Sequence, residues 1–500
     1  MQRLRRLVTD VQEYLVMLPW YVAGWVMRVL YGFRTVGAEN VPDQGPFILL
    51  LREYGVVGFL GSGLVSIQLL YAKYWHQREK IQAYMHEGLW ALPYFPLVAR
   101  LAPWLQPLAP TAAGRLTLSL LDGYRKLKQG GMVIMNPEGD MPWDGRPLPY
   151  GTAAAWLSLH TGAPVLPMIC ASGSYDIWPR WQVRPSLRGK LMLNIGKPFA
   201  LSETPLDQID DEVLQDGAAR LHAELNRLYY GDGGVPEWAG PPLRDGAPLT
   251  QPARAMLAAE ADVPARPVAA RGQQWRRGMA QLLWRCPVCH TNEGPIQERR
   301  WFRPPIVRCL ACGTRWDVQR IVGKDFRLRI TKGPQSLIGL DMPLSSWYED
   351  IKASLEMTAV MVPGLELEPQ EEPYLAAEGV SLVPHKPSVL SDGWTEGEAP
   401  QAQPPGSRDY AHWDSIGTGR LVLTNQRLVW QAPQGNLSFR WPAVNALHLW
   451  LLNTLIILYG TALYRLTVGR ENGLKWHSYV GSVLREAARR DGRKVDIRPA

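Results

Sequence analysis

Asn136-Pro137-Glu138-Gly139-Asp140 follows the apolar run Met132-Val133-Ile134-Met135. The run reads as a strand, and the loop after it carries a carboxylate and a flexible glycine at the strand's carboxyl end, the edge of an open α/β sheet where ligands bind. About ten residues further on, Gly151-Thr152-Ala153-Ala154 opens a helix, and Thr161-Gly162-Ala163-Pro164-Val165-Leu166-Pro167 returns to strand. Upstream, Leu116 to Leu127 reads as a helix and Phe47 to Leu51 as a further short apolar run. This alternation, traced from Val36 onward, predicts an α/β layer structure.

Taken in order, these blocks resemble two motifs of the glycerophosphate and lysophosphatidate acyltransferase family, its "FPEGTRS" motif and the "aPvvPv" strand after it. Leu120 to Gly131 is similar to the family's helix before that motif, and Val41-Pro42 with Gly45-Pro46-Phe47-Ile48 to the strand entering its active site; the resemblance covers about 190 residues. It implies an α/β acyltransferase-like domain that moves an acyl group from acyl-CoA or acyl-carrier protein to a lysophospholipid-type acceptor. It also implies a His-x4-Asp pair, in which the histidine takes the acceptor's proton and the aspartate orients the imidazole. Aligning the strand puts Arg52 at the family's asparagine, Glu53 at the histidine and Gly58 at the aspartate, and none of the nine histidines has an aspartate five residues later. Glu53 and Glu138 are therefore the expected catalytic carboxylates, with Arg52, Arg115, Asn136, Pro137, Gly139, Asp140 and Arg146 as the expected substrate-binding set. Arg115 is the nearest candidate for the family's phosphate-binding arginine, Asp140 replaces the motif threonine, and Arg146 is the next base downstream. A carboxylate is a weaker base than imidazole unless an apolar site raises its pKa, and the neighbours of Glu53 are apolar enough to do so. Two outcomes are open: a transferase with a degenerate motif, or an inactive acyltransferase fold that binds lipid and tethers partners at a membrane.

Cys286-Pro287-Val288-Cys289 and Cys309-Leu310-Ala311-Cys312 are separated by 19 residues. Two Cys-x-x-Cys knuckles at this spacing predict one tetrahedral zinc bound by Cys286, Cys289, Cys309 and Cys312; four sulfur ligands leave no open position, so the role is structural. His290 is the alternative ligand. The fifth cysteine, Cys170, ends an apolar run and reads as a buried thiol, so the cysteine usage fits a reducing compartment.

Beyond Gly417, runs at Arg420–Thr424, Arg427–Gln431, Ser438–Trp441, Leu447–Leu452, Leu455–Tyr459 and Leu463–Val468 read as strands, with a closing helix from Tyr479 to Arg490. Gly419 to Trp430 resembles the opening hairpin of GRAM/PH-like domains, a family that often binds membrane components. Leu447 to Tyr459 is apolar, but Asn453-Thr454 at its centre reads as a hairpin turn. The expected organisation is an interfacial helix (1–35), an acyltransferase-like domain (36–235), a Pro/Gly-rich linker (236–275), a zinc ribbon (276–325), an uninformative and partly linker region (326–405) and a mostly-β GRAM/PH-like domain (406–495).

The 500 residues carry a formal charge of +8, with 46% apolar and 20% charged residues, which fits a multidomain globular chain and not a polytopic membrane protein or a disordered one. The excess of base favours an anionic partner, and its lack of any dense basic block argues for a phospholipid surface and against nucleic acid. The run Tyr14 to Met27, interrupted by Pro19, would reach about 21 Å as a helix, too short for a hydrocarbon layer of about 30 Å. Trp20, Tyr21 and Trp25 suit a helix lying in the membrane interface. The expected location is peripheral, on the cytoplasmic face of a membrane.

Overall fold

The computed structural model describes residues 18, 21–22, 24–55, 80–86, 105–108, 118–148, 150–172, 174–182, 184–186, 189–201, 205–231, 278–300, 303–321, 325–385, 416–460 and 462–498. The expected linker 236–275, Arg115 and Gly58 lie outside them.

The first unit is a seven-stranded sheet with helices on both faces. In chain order its elements are β1 (Arg34–Val36), β2 (Phe47–Arg52), β3 (Ile81–His86), β4 (Leu105–Leu108), α1 (Leu118–Lys128), β5 (Met132–Met135), α2 (Ala153–Thr161), β6 (Val165–Ser172), α3 (Ser174–Ile177), β7 (Met192–Ile195) and α4 (Asp211–Tyr230). The sheet order is β1-β7-β6-β2-β5-β3-β4, parallel from β6 to β4 and antiparallel between β6 and β7. β2 is central, and period-2 alternation explains why its whole run is apolar: Phe47, Leu49 and Leu51 join the core on one face, while Ile48 and Leu50 join the core under α1, α2 and α4 on the other. α4 starts at Asp210, whose carboxylate accepts from Val213 N at 2.9 Å, with Asp211 and Glu212 favourably placed in its first turn.

A helix over residues 24–31 leads into β1, so the sheet begins at Arg34, inside the segment expected to be helix throughout. Met27 and Tyr31 are buried against the sheet, whereas Tyr21, Val22, Trp25, Val26, Val29 and Leu30 form an exposed apolar stripe at helical spacing, Trp25 being 65% exposed. No described helix is long and apolar enough to cross a membrane. Arg34 pairs with Met192, and Met192 with Ser172 at the carboxyl end of β6. The helix therefore delivers the chain to the sheet edge that also carries Arg52 and the loop after β5.

The second unit is larger than the expected ribbon. β8 (Pro295–Arg300), β9 (Arg303–Cys309), β10 (Arg315–Ile321), β11 (Asp325–Lys332) and β12 (Asp341–Pro343) form one antiparallel sheet, followed by α5 (Leu344–Ala353). β11 carries clean alternation, with Phe326, Leu328 and Ile330 inward, and the sheet runs on past residue 325 to the end of β12.

The third unit begins before its expected start. β13 (Pro373–His385), placed by sequence in a partly linker region, pairs with β14 (Gly417–Thr424) and with β19 (Ala462–Thr467) inside an eight-stranded sheet. β15 (Arg427–Ala432), β16 (Gly435–Arg440), β17 (Val444–Leu451) and β18 (Thr454–Tyr459) fall on the expected runs, with the β17–β18 turn at Leu452-Asn453. α6 (Gly473–Arg490) closes the unit, capped by Asn472, and β20 (Asp496–Ile497) lies parallel to β17.

The units share one core. A single cluster of buried side chains joins Tyr54, Trp143, Tyr175 and Trp181 of the first unit to Trp316 and Trp347 of the second and Trp430 and Trp476 of the third. Most of the unusual tryptophan content among the described residues thus fills cores, as large rings with a polar N–H do when a partner is in reach: Trp347 Nε1 donates to Leu328 O and Trp430 Nε1 to Val380 O.

Candidate functional site

The loop after β5 is built by its own sequence. Gly139 N donates to Asn136 O at 3.1 Å, closing a turn with proline at its second position and a left-handed glycine (φ 68°) at its fourth. The Asn136 side chain accepts from Glu138 N at 2.9 Å, an Asx turn that fixes the backbone from which Glu138 departs. Gly151 N donates to Pro137 O, tying the loop to the start of α2.

Glu138 turns inward onto the carboxyl end of β2. Its Oε1 lies 2.6 Å from Arg52 Nε, with both side chains 0% exposed. Arg52 Nη1 donates to Asn226 Oδ1 and, at 3.5 Å, to Tyr54 Oη; Asn226 Nδ2 donates to His222 Nδ1 at 3.2 Å; and His222 Nε2 stands 4.0 Å from Glu138 Oε1. The imidazole is 11% exposed and stacks on Tyr150, ring centroids 4.4 Å apart. Asn226 and His222 occupy successive turns of α4, four residues apart, so one helix face supplies both. Burial pushes the Glu138 carboxyl up to about 7 while Arg52 pulls it back, and burial with the neighbouring Arg52 charge pushes the His222 imidazole down to about 3. His222 is thus neutral across the physiological range, and the closest charge to Glu138 is a permanent cation.

The rest of the expected set is divided. Glu53 is buried one residue beyond β2. Asp140 accepts from Arg180 Nη1 at 2.9 Å; Arg180 also donates to Met141 O and Trp450 O and lies over the Trp143 ring at 4.1 Å. The Cα of Gly139 faces Arg498, whose Nη1 would be 2.6 Å from any added Cβ, so the end of the third unit rests on the motif loop. Arg146 does not reach the Glu138 site. Its guanidinium pairs with Asp144 and, across the unit boundary, with Glu349 of α5, and all three side chains are buried. Its charge is shared by Asp144 of its own loop and Glu349 of the second unit.

The four cysteines converge. Their sulfurs all lie within 4.8 Å of one another, with Cys286 Sγ to Cys312 Sγ and Cys289 Sγ to Cys309 Sγ both 3.8 Å. The edge of a tetrahedron with metal–sulfur bonds of about 2.3 Å is about 3.8 Å, so the donor set and its geometry fit a metal ion. Val288 N points to Cys286 Sγ at 3.4 Å, the kind of contact that favours a thiolate. His290 is not part of the cluster; its backbone N donates to Cys286 O to close the first knuckle.

His222, Asn226 and Tyr150 were not expected from sequence, and the only signal for them is the i, i+4 polar pair His222/Asn226 on an otherwise apolar helix face.

No protein-family model matches the chain. A curated 1-acyl-sn-glycerol-3-phosphate acyltransferase of Pseudomonas aeruginosa is 27% identical over 179 residues, 34% of this chain and 62% of the relative. The chain therefore spans about six-tenths of the length of the curated relative it matches. The crystal structure of the 1-acyl-sn-glycerophosphate (LPA) acyltransferase PlsC from Thermotoga maritima matches 45% of this chain and 98% of its own, at 20% identity and a TM-score of 0.27. The sequence likeness is weak and covers about a third of the chain.

Proposed function

We propose that this chain is a membrane-associated, lipid-binding protein on an acyltransferase-like scaffold, in which acyl transfer has given way to tethering of partners at the bilayer. The observation that carries this reading is the Arg52–Glu138 pair. Acyl transfer to a hydroxyl needs a base free to take a proton, and at this sheet edge the motif carboxylate is locked to a buried guanidinium with a neutral imidazole behind it. The exposed stripe around Trp25 supports peripheral attachment to a phospholipid surface, and the unbridged cysteines favour its cytoplasmic face. Cys286, Cys289, Cys309 and Cys312 would hold one structural zinc, and the third unit's sheet with its closing helix supports a GRAM/PH-like binding module.

A second reading keeps transfer, favoured by the Glu138 carboxyl lying near 7, where a base works best at neutral pH. There Glu138 would take the hydroxyl proton of a lysophospholipid. The oxygen would bond to the acyl carbon of acyl-CoA or acyl-carrier protein, the carbon–sulfur bond would break, and the thiolate would leave. Incubating the chain with anionic vesicles, lysophosphatidate and labelled acyl-CoA separates the two: the first reading expects co-sedimentation without acylated product, and product that disappears in Glu138→Ala overturns it in favour of the second.

A further inference from the structure

After α6 the polypeptide returns to the motif loop along a path that its own residues fix. Arg493 donates to Val444 O at 2.7 Å and to Trp441 O, which lays the segment along β17. β20 then pairs in parallel with β17, Ala446 opposite Asp496 and Leu447 opposite Ile497, and Arg498 N donates to Leu447 O at 3.1 Å. Two side-chain contacts hold the register. His448, 2% exposed, has its Nε2 3.0 Å from Asp496 Oδ2, and Ile497 Cγ2 sits 3.5 Å from where a Cβ on Gly481 of α6 would stand.

This path ends on the loop after β5. The Arg498 guanidinium lies against Gly139, so close that Nη1 would be 2.6 Å from an added Cβ. β17 completes the cover, because Arg180 bridges Asp140 Oδ1 to Trp450 O. Behind the loop, the Glu138 side chain is 0% exposed. The cover is also lightly held. β20 is two residues long, stands at the edge of its sheet, and leaves the Asp496 and Arg498 side chains 40% and 29% exposed. A short edge segment with few buried contacts opens locally far more readily than the fold unfolds.

We propose that residues 496–498 form an autoinhibitory strap, which covers the motif loop when seated and must lift from β17 before a lysophospholipid reaches the site behind it. The proposal rests on the lipid-binding reading and adds its regulation. A ligand that binds only the lifted state has its affinity reduced by the lifted fraction, and by linkage its binding lifts the strap.

Hydrogen exchange and calorimetry on the full chain, with 1-hexanoyl lysophosphatidate as the probe, test the strap. In the unaltered chain, saturating probe should speed exchange of the Arg498 amide at least about fivefold. Ile497→Asp with Arg498→Ala, checked for a native melt, should speed exchange of the Gly139 and Met141 amides and tighten probe binding at least about tenfold. Lys494→Ala, at an exposed position before β20, should change neither. A bound probe that leaves the Arg498 amide as protected as before overturns the strap and spares the lipid-binding reading, and so does an unchanged affinity in the folded double variant. No binding by either chain, with the strap seated or released, removes the lipid-binding reading and the gate with it. The exchange series on the unaltered chain needs no variant, so a misfolded mutant does not decide the matter.

Discussion

Arg52 stands at the position where the acyltransferase likeness leads one to expect an asparagine, and the exchange introduces a permanent charge at 0% exposure. Removing one partner of a buried ion pair leaves the other uncompensated, at a cost of about 3–5 kcal/mol, whereas replacing both with apolar groups of similar volume is often neutral. Denaturant titration should therefore find Arg52→Met strongly destabilised and Arg52→Met with Glu138→Leu largely recovered; an additive double variant would contradict the pairing. The pH dependence follows from the direction of the Glu138 shift. Its folded-state pKa is raised from 4.5 to about 7, so between those values the folded chain holds the extra proton. Its contribution to stability is present below 4.5 and is lost as pH rises through 7. His222, lowered to about 3, acts in the opposite sense, gaining as pH rises from 3 to its ordinary 6.5. The stability of the unaltered chain relative to Glu138→Gln should thus fall from pH 4.5 to 7, measured by thermal melts across that range; a flat or rising difference would refute it. The sequence located Glu138 and Arg52 because each sits in a strand or its following loop and shows its pattern locally. His222 and Asn226 were illegible because they approach Glu138 from a helix more than 80 residues downstream, and nothing in the period of α4 tells a polar face in a site from one in solvent.

At the scale of elements, β5, β15 and β18 lie within a residue of the runs that predicted them, while β6 runs on to Ser172. β13 was missed because Pro373, Glu378 and Gly379 break its pattern; the glycine sits in a register irregularity between Ala377 and Val380, which the apolar flanks pair around. β10 to β12 were unread for a different reason. Their charged outer faces resemble loop composition until the inward set of Trp316, Val318, Leu328 and Ile330 is seen on one side. This sheet grows directly from the second cysteine knuckle, with Cys309 ending β9. Metal analysis of the chain should give about one zinc, and Cys286→Ser with Cys309→Ser should lose it together with a cooperative part of the melt, because metal-binding free energy is folding free energy in so small a unit. Full thermal stability after chelation would argue against a structural metal.

On the whole-molecule scale, the fusion of the units into one core was not legible in the sequence. Sequence shows which side chains are apolar, and it does not show that Trp181 packs on Phe326 of another unit or that Trp143 and Trp347 belong to one cluster. The consequence falls on the motif loop. Glu138 is held by Arg52, Gly139 is covered by Arg498 from the end of the chain, Asp140 is bridged through Arg180 to Trp450 O, and Arg146 docks Glu349. Gly139, Arg180 and Arg146 thus meet the other units, and the apolar stripe at Trp25 is exposed. The most direct test is transfer of labelled acyl groups from acyl-CoA and from acyl-carrier protein to lysophosphatidate, run with the unaltered chain and with Glu138→Ala. The account predicts product no higher than in the protein-free control for both, and turnover by the unaltered chain that is abolished in Glu138→Ala would contradict it.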